Sequence, residues 1–200
     1  MSFSELTPIH YDFLKEVTNI GGGNAATSLA QLLNKRIDME VPTVRLLSYD
    51  EIFTNIKEEE SPVIAISLKV LGDAPGIFLF VLEEKYALHL AKLLLGKEDL
   101  KELDDMVVSA LKEVVNIIAS SYINALTRML NLNMVSSVPQ FSKDMFGAIL
   151  TTAYIESGYI DDKQLIIENI FIEDNKKING YLFFIPSPNS LDTIISSINI

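Results

Sequence analysis

The chain has 200 residues, of which 48% are hydrophobic and 22% charged, the composition of a folded globular protein rather than a disordered or fibrous one. Its 27 acidic and 16 basic side chains give a net charge of −11, which argues against a nucleic-acid-binding surface because such surfaces need clustered lysine and arginine. With no cysteine and only two histidines, disulfides, thiolate catalysis and cysteine-ligated zinc are excluded, and an imidazole-built metal site is disfavoured.

The first half of the chain is predicted to open with a long helix. Thr7 followed by Pro8 indicates a helix cap with proline at the first helical position. Segments rich in valine, isoleucine and phenylalanine then predict strands, and a closing helix follows that Gly96 suits as an end. We place the strands at about Val41 to Ser48, Val63 to Val70 and Gly76 to Glu83, and the closing helix at about Glu84 to Leu95.

The second half is predicted to follow the same order. Asp104 and Asp105 are acids that favour a helix start, and the long helix that they open runs to about Leu130. Strands continue to Ile185, with Gly180 predicted at the turn between the last two, and a final helix reaches the C-terminus.

The location of the protein is predicted from its apolar patterning. The N-terminus MSFSELTPIHYDF has no basic start followed by an apolar stretch. No run of apolar residues approaches the roughly 18 that a membrane span requires. We therefore expect a cytoplasmic protein without membrane insertion.

The sequence repeats itself. A shift of 97 residues lays Asp12 to Ile20 (DFLKEVTNI) over Ser109 to Ile117 (SALKEVVNI), and over 33 positions eleven residues are identical. A second similarity, at a shift of 104 residues, relates the segment after Gly76 to the segment after Gly180. Such self-similarity indicates that the chain consists of two related halves.

The repeat predicts the fold class. Each half, 1–97 and 98–200, reads as α-β-(α)-β-β-α, and the connection from Lys97 to Leu103 is short and charged. We therefore expect a single α+β (mixed α/β) domain of pseudo-twofold symmetry, in which both halves contribute to one sheet and the two long helices pack on it.

Each long helix is predicted to carry a polar stripe. Residues at i, i+4 and i+7 lie within about 60° of one another on a helix. Asp12, Glu16 and Asn19 therefore share one stripe, as do their counterparts in the second half, Ser109, Glu113 and Asn116. In the first helix the apolar residues Phe13, Val17 and Ile20 are predicted to be buried, which turns the polar stripe towards solvent or a partner.

The repeated asparagine suggests chemistry. Asparagine is a middling helix former, so two mid-helix copies sacrifice some local stability. An exposed carboxamide can accept a hydrogen bond from water while donating one to a phosphoryl oxygen. That is the task of a water-positioning residue in phosphoryl transfer. The glutamate one turn earlier can pair with a cation on a partner, whereas the proline 23 residues after the asparagine is interpreted as an edge-strand proline.

Both copies match one family signature. It begins with Asp or Ser, followed after three intervening residues by Glu, after two more by Asn, and after a further 22 by Pro. The chain resembles the CheC, CheX and FliY phosphatase family in this motif and over nearly its whole length, and it is most similar to the CheC members. The matching residues are Asp12, Glu16, Asn19 and Pro42 in the first half, and Ser109, Glu113, Asn116 and Pro139 in the second.

The resemblance implies hydrolysis of the aspartyl phosphate of the chemotaxis response regulator CheY. Asn19 and Asn116 would align the attacking water, and Glu16 and Glu113 would contact the regulator's lysine. The magnesium would belong to the substrate protein, so no cofactor or metal of its own is expected. The resemblance also implies binding of the receptor deamidase CheD. Because the sequence ends right after the second repeat, we expect a CheC-type protein without the flagellar-switch domain of FliY.

Other readings of the sequence remain as alternatives. Residues 21–26 (GGGNAA) formally match the G-x-G-x-x-A dinucleotide turn, but a helix precedes them where that turn needs a strand, so close packing or a local kink is preferred. Asp104, Asp105 and the acidic run at 58–60 are interpreted as a helix cap and a solvated loop. His10 and His89 have no catalytic partner in view. A different functional class is a non-enzymatic adaptor that sequesters phosphorylated CheY or regulates CheD.

Overall fold

One antiparallel sheet and the helices on its two faces make up the computed structural model, which describes residues 5–97, 99–158, 163–173 and 175–198. Over those residues the elements are α1 (Pro8–Leu33), β1 (Asp38–Met39), β2 (Thr43–Leu47), α2 (Tyr49–Asn55), β3 (Pro62–Gly72), β4 (Gly76–Leu82), α3 (Glu84–Leu95), α4 (Asp105–Leu130), β5 (Met134–Ser136), β6 (Gln140–Met145), α5 (Phe146–Ser157), β7 (Gln164–Glu173), β8 (Lys176–Pro186) and α6 (Ser190–Ser196). The predicted mixed α/β class and the order of elements in each half are confirmed.

The sheet joins the two halves by exchanging their first strands. Its order is β1-β7-β8-β4-β3-β5, with β2 also pairing β7 and β6 also pairing β3. The short strands of the first half thus pair with β7 of the second, and those of the second half pair with β3 of the first. The central pair is β4 with β8, one strand from each half. Neither half could complete this sheet alone.

Both faces of the sheet are buried. In β4 every residue is buried, which explains its continuous apolar sequence GIFLFVL. Phe78 and Phe80 point into the larger core with α1, α3, α4 and α6, whereas Ile77 and Leu79 point into the smaller core with α2 and α5. Because side chains alternate along a strand, one apolar strand supplies both cores.

The long helices pack closely where glycine occurs. A Cβ atom added at Gly21 would lie 2.6 Å from Cδ1 of Tyr122, closer than real side chains approach. Tyr122 is 1% exposed and its hydroxyl donates a hydrogen bond to Oδ1 of the buried Asn169 in β7. The predicted use of glycine for close helix packing is confirmed at this position.

Asparagine ends both long helices. Asn34 after α1 and Asn131 after α4 have φ of 48° and 55°, in the left-handed region, and both are C-caps. Asparagine tolerates this conformation better than other residues with a side chain. The 97-residue shift aligns Asn34 with Asn131. Both halves therefore have asparagine at this position for a local structural reason.

The start of α4 depends on Asp104. Its side chain accepts a hydrogen bond of 2.8 Å from the backbone N–H of Val107, as expected for an N-cap residue. Asp104→Ala is expected to lower the free energy of unfolding by about 1 kcal/mol, because it leaves that N–H without its acceptor. Urea denaturation measures the loss. Asp105→Ala is the matched control, since Asp105 is an exposed neighbour inside the helix, and equal losses for both variants would contradict the capping role.

Two sequence predictions about the elements were wrong. Gly180 does not form a turn: it lies within β8 opposite Leu82, and a Cβ atom there would strike the ring of Phe80. The chain reverses instead between Glu173 and Lys176, where Asn175 has φ of 63°. The final helix stops at Ser196 rather than reaching the C-terminus. The strand predicted at about 41–48 is confirmed as β2, Thr43–Leu47, and the two-residue strand β1 precedes it at Asp38–Met39.

Helix α4 is apolar enough to bear on the expectation that no segment is long enough to span a membrane. The helix has 26 residues, and its most apolar 18-residue window has a mean hydropathy of 1.4. By length and composition alone it could span a membrane. However, 56% of that window is buried inside the protein. A core helix of a soluble protein passes the same test, so this feature is weak evidence for a membrane span.

Candidate active site on the two long helices

The first polar stripe lies on the exposed side of α1. Asp12, Glu16 and Asn19 are all exposed, and the ammonium of Lys15 lies 3.4 Å from Asp12 Oδ1. Such an exposed ion pair contributes little to stability. The stripe is therefore available to a partner protein.

The buried face of α1 is not the one predicted. Among Phe13, Val17 and Ile20, only Val17 is buried; Phe13 is half-buried and Ile20 is 37% exposed. The buried face follows Leu14, Val17, Thr18, Gly21, Gly22, Ala25, Ala26 and Leu29. Small residues supply much of it, because α4 and the β1–β2 segment come close there.

The second stripe lies on α4 and is less open. Ser109 and Glu113 are exposed, but Asn116 is half-buried. Helix α3, which has 12 residues, packs against α4, whereas its counterpart α6 has seven. The two stripes therefore share residue types and spacing but differ in accessibility.

The four central side chains have no partner of their own. Within the described ranges, Glu16, Asn19, Glu113 and Asn116 make no hydrogen bond or ion pair through their side chains. Their carboxylates and carboxamides keep their full capacity to accept and, for the amides, to donate hydrogen bonds.

The first signature proline packs beside the stripe. Pro42 is buried, and a Cβ atom added at Gly22 would lie 3.0 Å from Cγ of Pro42. Gly22 is three residues after Asn19, which is nearly one helical turn. Pro42 therefore contacts α1 about one turn beyond Asn19. Pro42 separates β1 and β2, and Pro139 separates β5 and β6; these strands occupy the two ends of the sheet. Both prolines therefore lie in short connections between edge strands rather than within a strand.

Gly23 also lies on the α1 stripe. From the sequence, it was interpreted together with Gly21 and Gly22 and given no role of its own. It is exposed, and a Cβ atom there would meet no atom within 4 Å. A mid-helix glycine costs about 1 kcal/mol relative to alanine. Its spacing of four residues from Asn19 could have placed it on the stripe from the sequence alone.

The alternative sites are not supported. The glycines of the dinucleotide reading lie in the middle of α1, without the strand and turn that such a site needs. The acidic residues at 58–60 are exposed between α2 and β3, and the carbonyl of Glu59 accepts a hydrogen bond of 2.9 Å from Gly147. Within the described part of the chain no group of three or more His, Asp or Glu residues could hold a metal ion.

Both histidines have structural neighbours. Nδ1 of His10 accepts a hydrogen bond of 3.2 Å from the backbone N–H of Thr7 at the start of α1. Nε2 of His89 lies 3.5 Å from the buried carboxylate of Glu173. Neither imidazole lies in the polar stripes, so neither belongs to the candidate site.

Four clefts in the described part of the protein lie away from the two stripes. One polar cleft lies between α5 and the strands β3 and β6, on the face opposite α1 and α4, and includes Ser142, Thr152 and Glu156. None of these four clefts is lined by a signature residue. The stripes are open helical surfaces, which suits a macromolecular substrate better than a small molecule.

Comparison with known proteins identifies the family. The model of the CheC-like family matches residues 9–46, and the model of the chemotaxis phosphatase CheX matches residues 63–157. The CheY-P phosphatase CheC of Bacillus subtilis (strain 168) is 34% identical over 199 residues, covering 96% of this chain and 95% of that protein. The chain belongs to the CheC family.

Other relatives of CheC are also similar to the chain. The flagellar motor switch phosphatase FliY of B. subtilis is 26% identical over 139 residues, which are 68% of this chain and 36% of FliY. The crystal structure of Thermotoga maritima FliY superposes with a TM-score of 0.79 at 23% identity, covering 97% of this chain and 98% of that one. The structural likeness shows a common fold. Membership of the CheC family is thus confirmed, while the roles of the eight signature residues stay predictions.

Proposed function

We propose that this chain is a phosphatase that hydrolyses the aspartyl phosphate of the response regulator CheY. The observation that carries the proposal is the pair of stripes on α1 and α4, each with an accessible glutamate and an asparagine at the same spacing and without internal partners. Family membership supports it, because the B. subtilis relative is named a CheY-P phosphatase.

The proposed chemistry is water attack on phosphorus. Oδ1 of Asn19 or Asn116 accepts a hydrogen bond from the water and Nδ2 donates one to a phosphoryl oxygen, which holds the water in line with the bond to the aspartate. The P–O bond to the carboxylate breaks as the bond from water oxygen to phosphorus forms. The products are inorganic phosphate and the free aspartate, and the catalyst is unchanged.

The glutamates have a positioning role in this proposal. Glu16 and Glu113 lie one turn before their asparagines and are exposed, so each can pair with a lysine of the docked regulator. Such a pair adds orientation to the encounter more than affinity. The magnesium that offsets the phosphoryl charge belongs to the regulator, and this chain contributes only orientation and hydrogen bonds.

The alternative is an adaptor that binds phosphorylated CheY without hydrolysing it. The two functions differ in stoichiometry. A catalyst at one-hundredth of the CheY concentration is expected to release inorganic phosphate well beyond its own amount, with a rate proportional to its concentration. An adaptor would leave the decay unchanged at that ratio and protect CheY phosphate only near equimolar amounts, an outcome that would refute the proposed function.

Binding of CheD and a cytoplasmic location stay predictions from the family resemblance and the sequence. Titration calorimetry of the purified chain with CheD tests the first. Absence of heat at micromolar concentrations of both proteins would contradict it.

A further inference from the structure

The exposed glycine on the α1 stripe has no packing neighbour that would require a glycine. Gly23 follows Asn19 by four residues, which places it about 40° around the helix from Asn19 and about 6 Å further along its axis. Gly21 and Gly22 have packing reasons, since Cβ atoms there would strike Tyr122 and Met39 respectively. At Gly23 a Cβ atom would meet nothing within 4 Å.

A glycine in this position weakens the helix without an internal gain. Alanine would be the better residue for an exposed mid-helix position. What glycine offers instead is a bare main chain, against which another backbone can come closer than any side chain would permit. Gly23 lies on the same face of α1 as Glu16 and Asn19. The backbone that can approach Gly23 closely is therefore that of the protein docked on this stripe.

We infer that Gly23 is a specificity-determining contact, where the main chain of the phosphorylated response regulator packs directly on α1 beside Asn19. This inference rests on the proposed function, since it describes how the phosphorylated regulator docks on the α1 stripe. A side chain at this position holds the regulator away from α1, and Asn19 then fails to reach the phosphoryl group. The α4 stripe has Ser120 at the corresponding place, and Ser120 is half-buried. The close approach is thus a property of the first stripe.

The test uses the full-length chain with only the first stripe intact. In a background that carries both Glu113→Ala and Asn116→Ala, Gly23→Ala and Gly23→Leu are compared with their parent in catalysed decay of phosphorylated CheY. We expect kcat/KM to fall about threefold for alanine and at least tenfold for leucine. Both variants are expected to fold, and Gly23→Ala is expected to raise Tm by about 2–4 °C, because it removes an exposed helical glycine.

The matched control is Asn24→Leu in the same background. Asn24 is the next residue, is exposed, and points about 100° away from Gly23. Its kcat/KM is expected to stay within twofold of the parent. If Gly23→Leu keeps the parent's kcat/KM while its circular dichroism and Tm show a folded protein, the inference is overturned.

A binding measurement separates this inference from the proposed function. The affinity of the same variants is measured by calorimetry for CheY carrying beryllofluoride, a mimic of the aspartyl phosphate. Loss of binding in Gly23→Leu but not in Asn24→Leu supports the contact even if the parent shows no turnover, in which case only the proposed chemistry fails. Equal binding by both variants, or no binding by the parent, overturns the contact at Gly23.

Discussion

Replacing both stripe asparagines, Asn19→Ala together with Asn116→Ala, is expected to remove the accelerated decay of phosphorylated CheY. Each carboxamide is proposed to hold the attacking water and a phosphoryl oxygen together, and alanine can do neither. Loss of a positioned hydrogen-bonding group of this kind typically lowers kcat by about 10²-fold or more. The rate of inorganic phosphate release with catalytic amounts of protein measures the effect.

The double variant should fold normally. Asn19 is exposed, Asn116 is half-buried, and neither makes a side-chain hydrogen bond within the described residues. The free energy of unfolding is therefore expected to change by no more than about 0.5 kcal/mol per site. Each single variant is expected to keep the contribution of the other stripe, so the two single variants together apportion the activity between α1 and α4.

A matched control is available on the same two helices. Asn24 and Asn124 are also exposed asparagines, one on α1 and one on α4, and they lie outside the two signatures. Asn24→Ala with Asn124→Ala makes the same chemical change and is expected to leave phosphate release within twofold of the wild type. If the stripe variant released phosphate as fast as this control, the proposed roles of Asn19 and Asn116 would be wrong.

Tyr122→Ala is expected to be the most damaging single substitution for stability. Tyr122 is 1% exposed, lies against Gly21 of α1 and donates a hydrogen bond to Asn169 of β7, so it joins both long helices to the sheet. Removing a buried aromatic ring costs about 3–5 kcal/mol, because apolar contacts are lost and a cavity remains. Equilibrium unfolding in urea, followed by circular dichroism, measures the loss.

The hydroxyl of Tyr122 can be tested separately. Tyr122→Phe keeps the ring but leaves the buried Oδ1 of Asn169 without its donor, at an expected cost of about 1–3 kcal/mol. Burial raises the pKa of Tyr122 above its usual value, so the hydroxyl remains a protonated donor well into alkaline pH. Tyr11→Phe is the control, because Tyr11 is only half-buried, and it should change stability by less than about 0.5 kcal/mol. Equal costs for the two phenylalanine variants would show that the bond to Asn169 contributes nothing.

Local signals in the sequence were reliable where neighbours in the chain decide the conformation. Helix α3 was predicted at Glu84–Leu95 and has those bounds, because Gly96 adopts a φ of 65° that ends it. Asp104 was predicted to cap α4 and does so. These outcomes depend on hydrogen bonds within one or two helical turns, which the sequence of that segment contains in full.

Predictions that depended on distant packing fared worse. Ile20 was predicted to be buried from its spacing, but α4 approaches α1 on the side of Gly21 and leaves Ile20 37% exposed. Gly180 was predicted to be a turn, yet it lies in β8, where the ring of Phe80 fills the space that a side chain would occupy. In both cases the deciding atoms lie on another element.

The sequence by itself determined the family signature, the order of elements in each half and the two polar stripes, because helical spacing is a property of the chain. Only the tertiary structure decided how the halves are joined, since β2 pairs with β7 and β6 with β3 through hydrogen bonds between residues far apart in sequence. It also decided which glycine is free: packing occupies the space beside Gly21 and Gly22, and leaves Gly23 open next to Asn19.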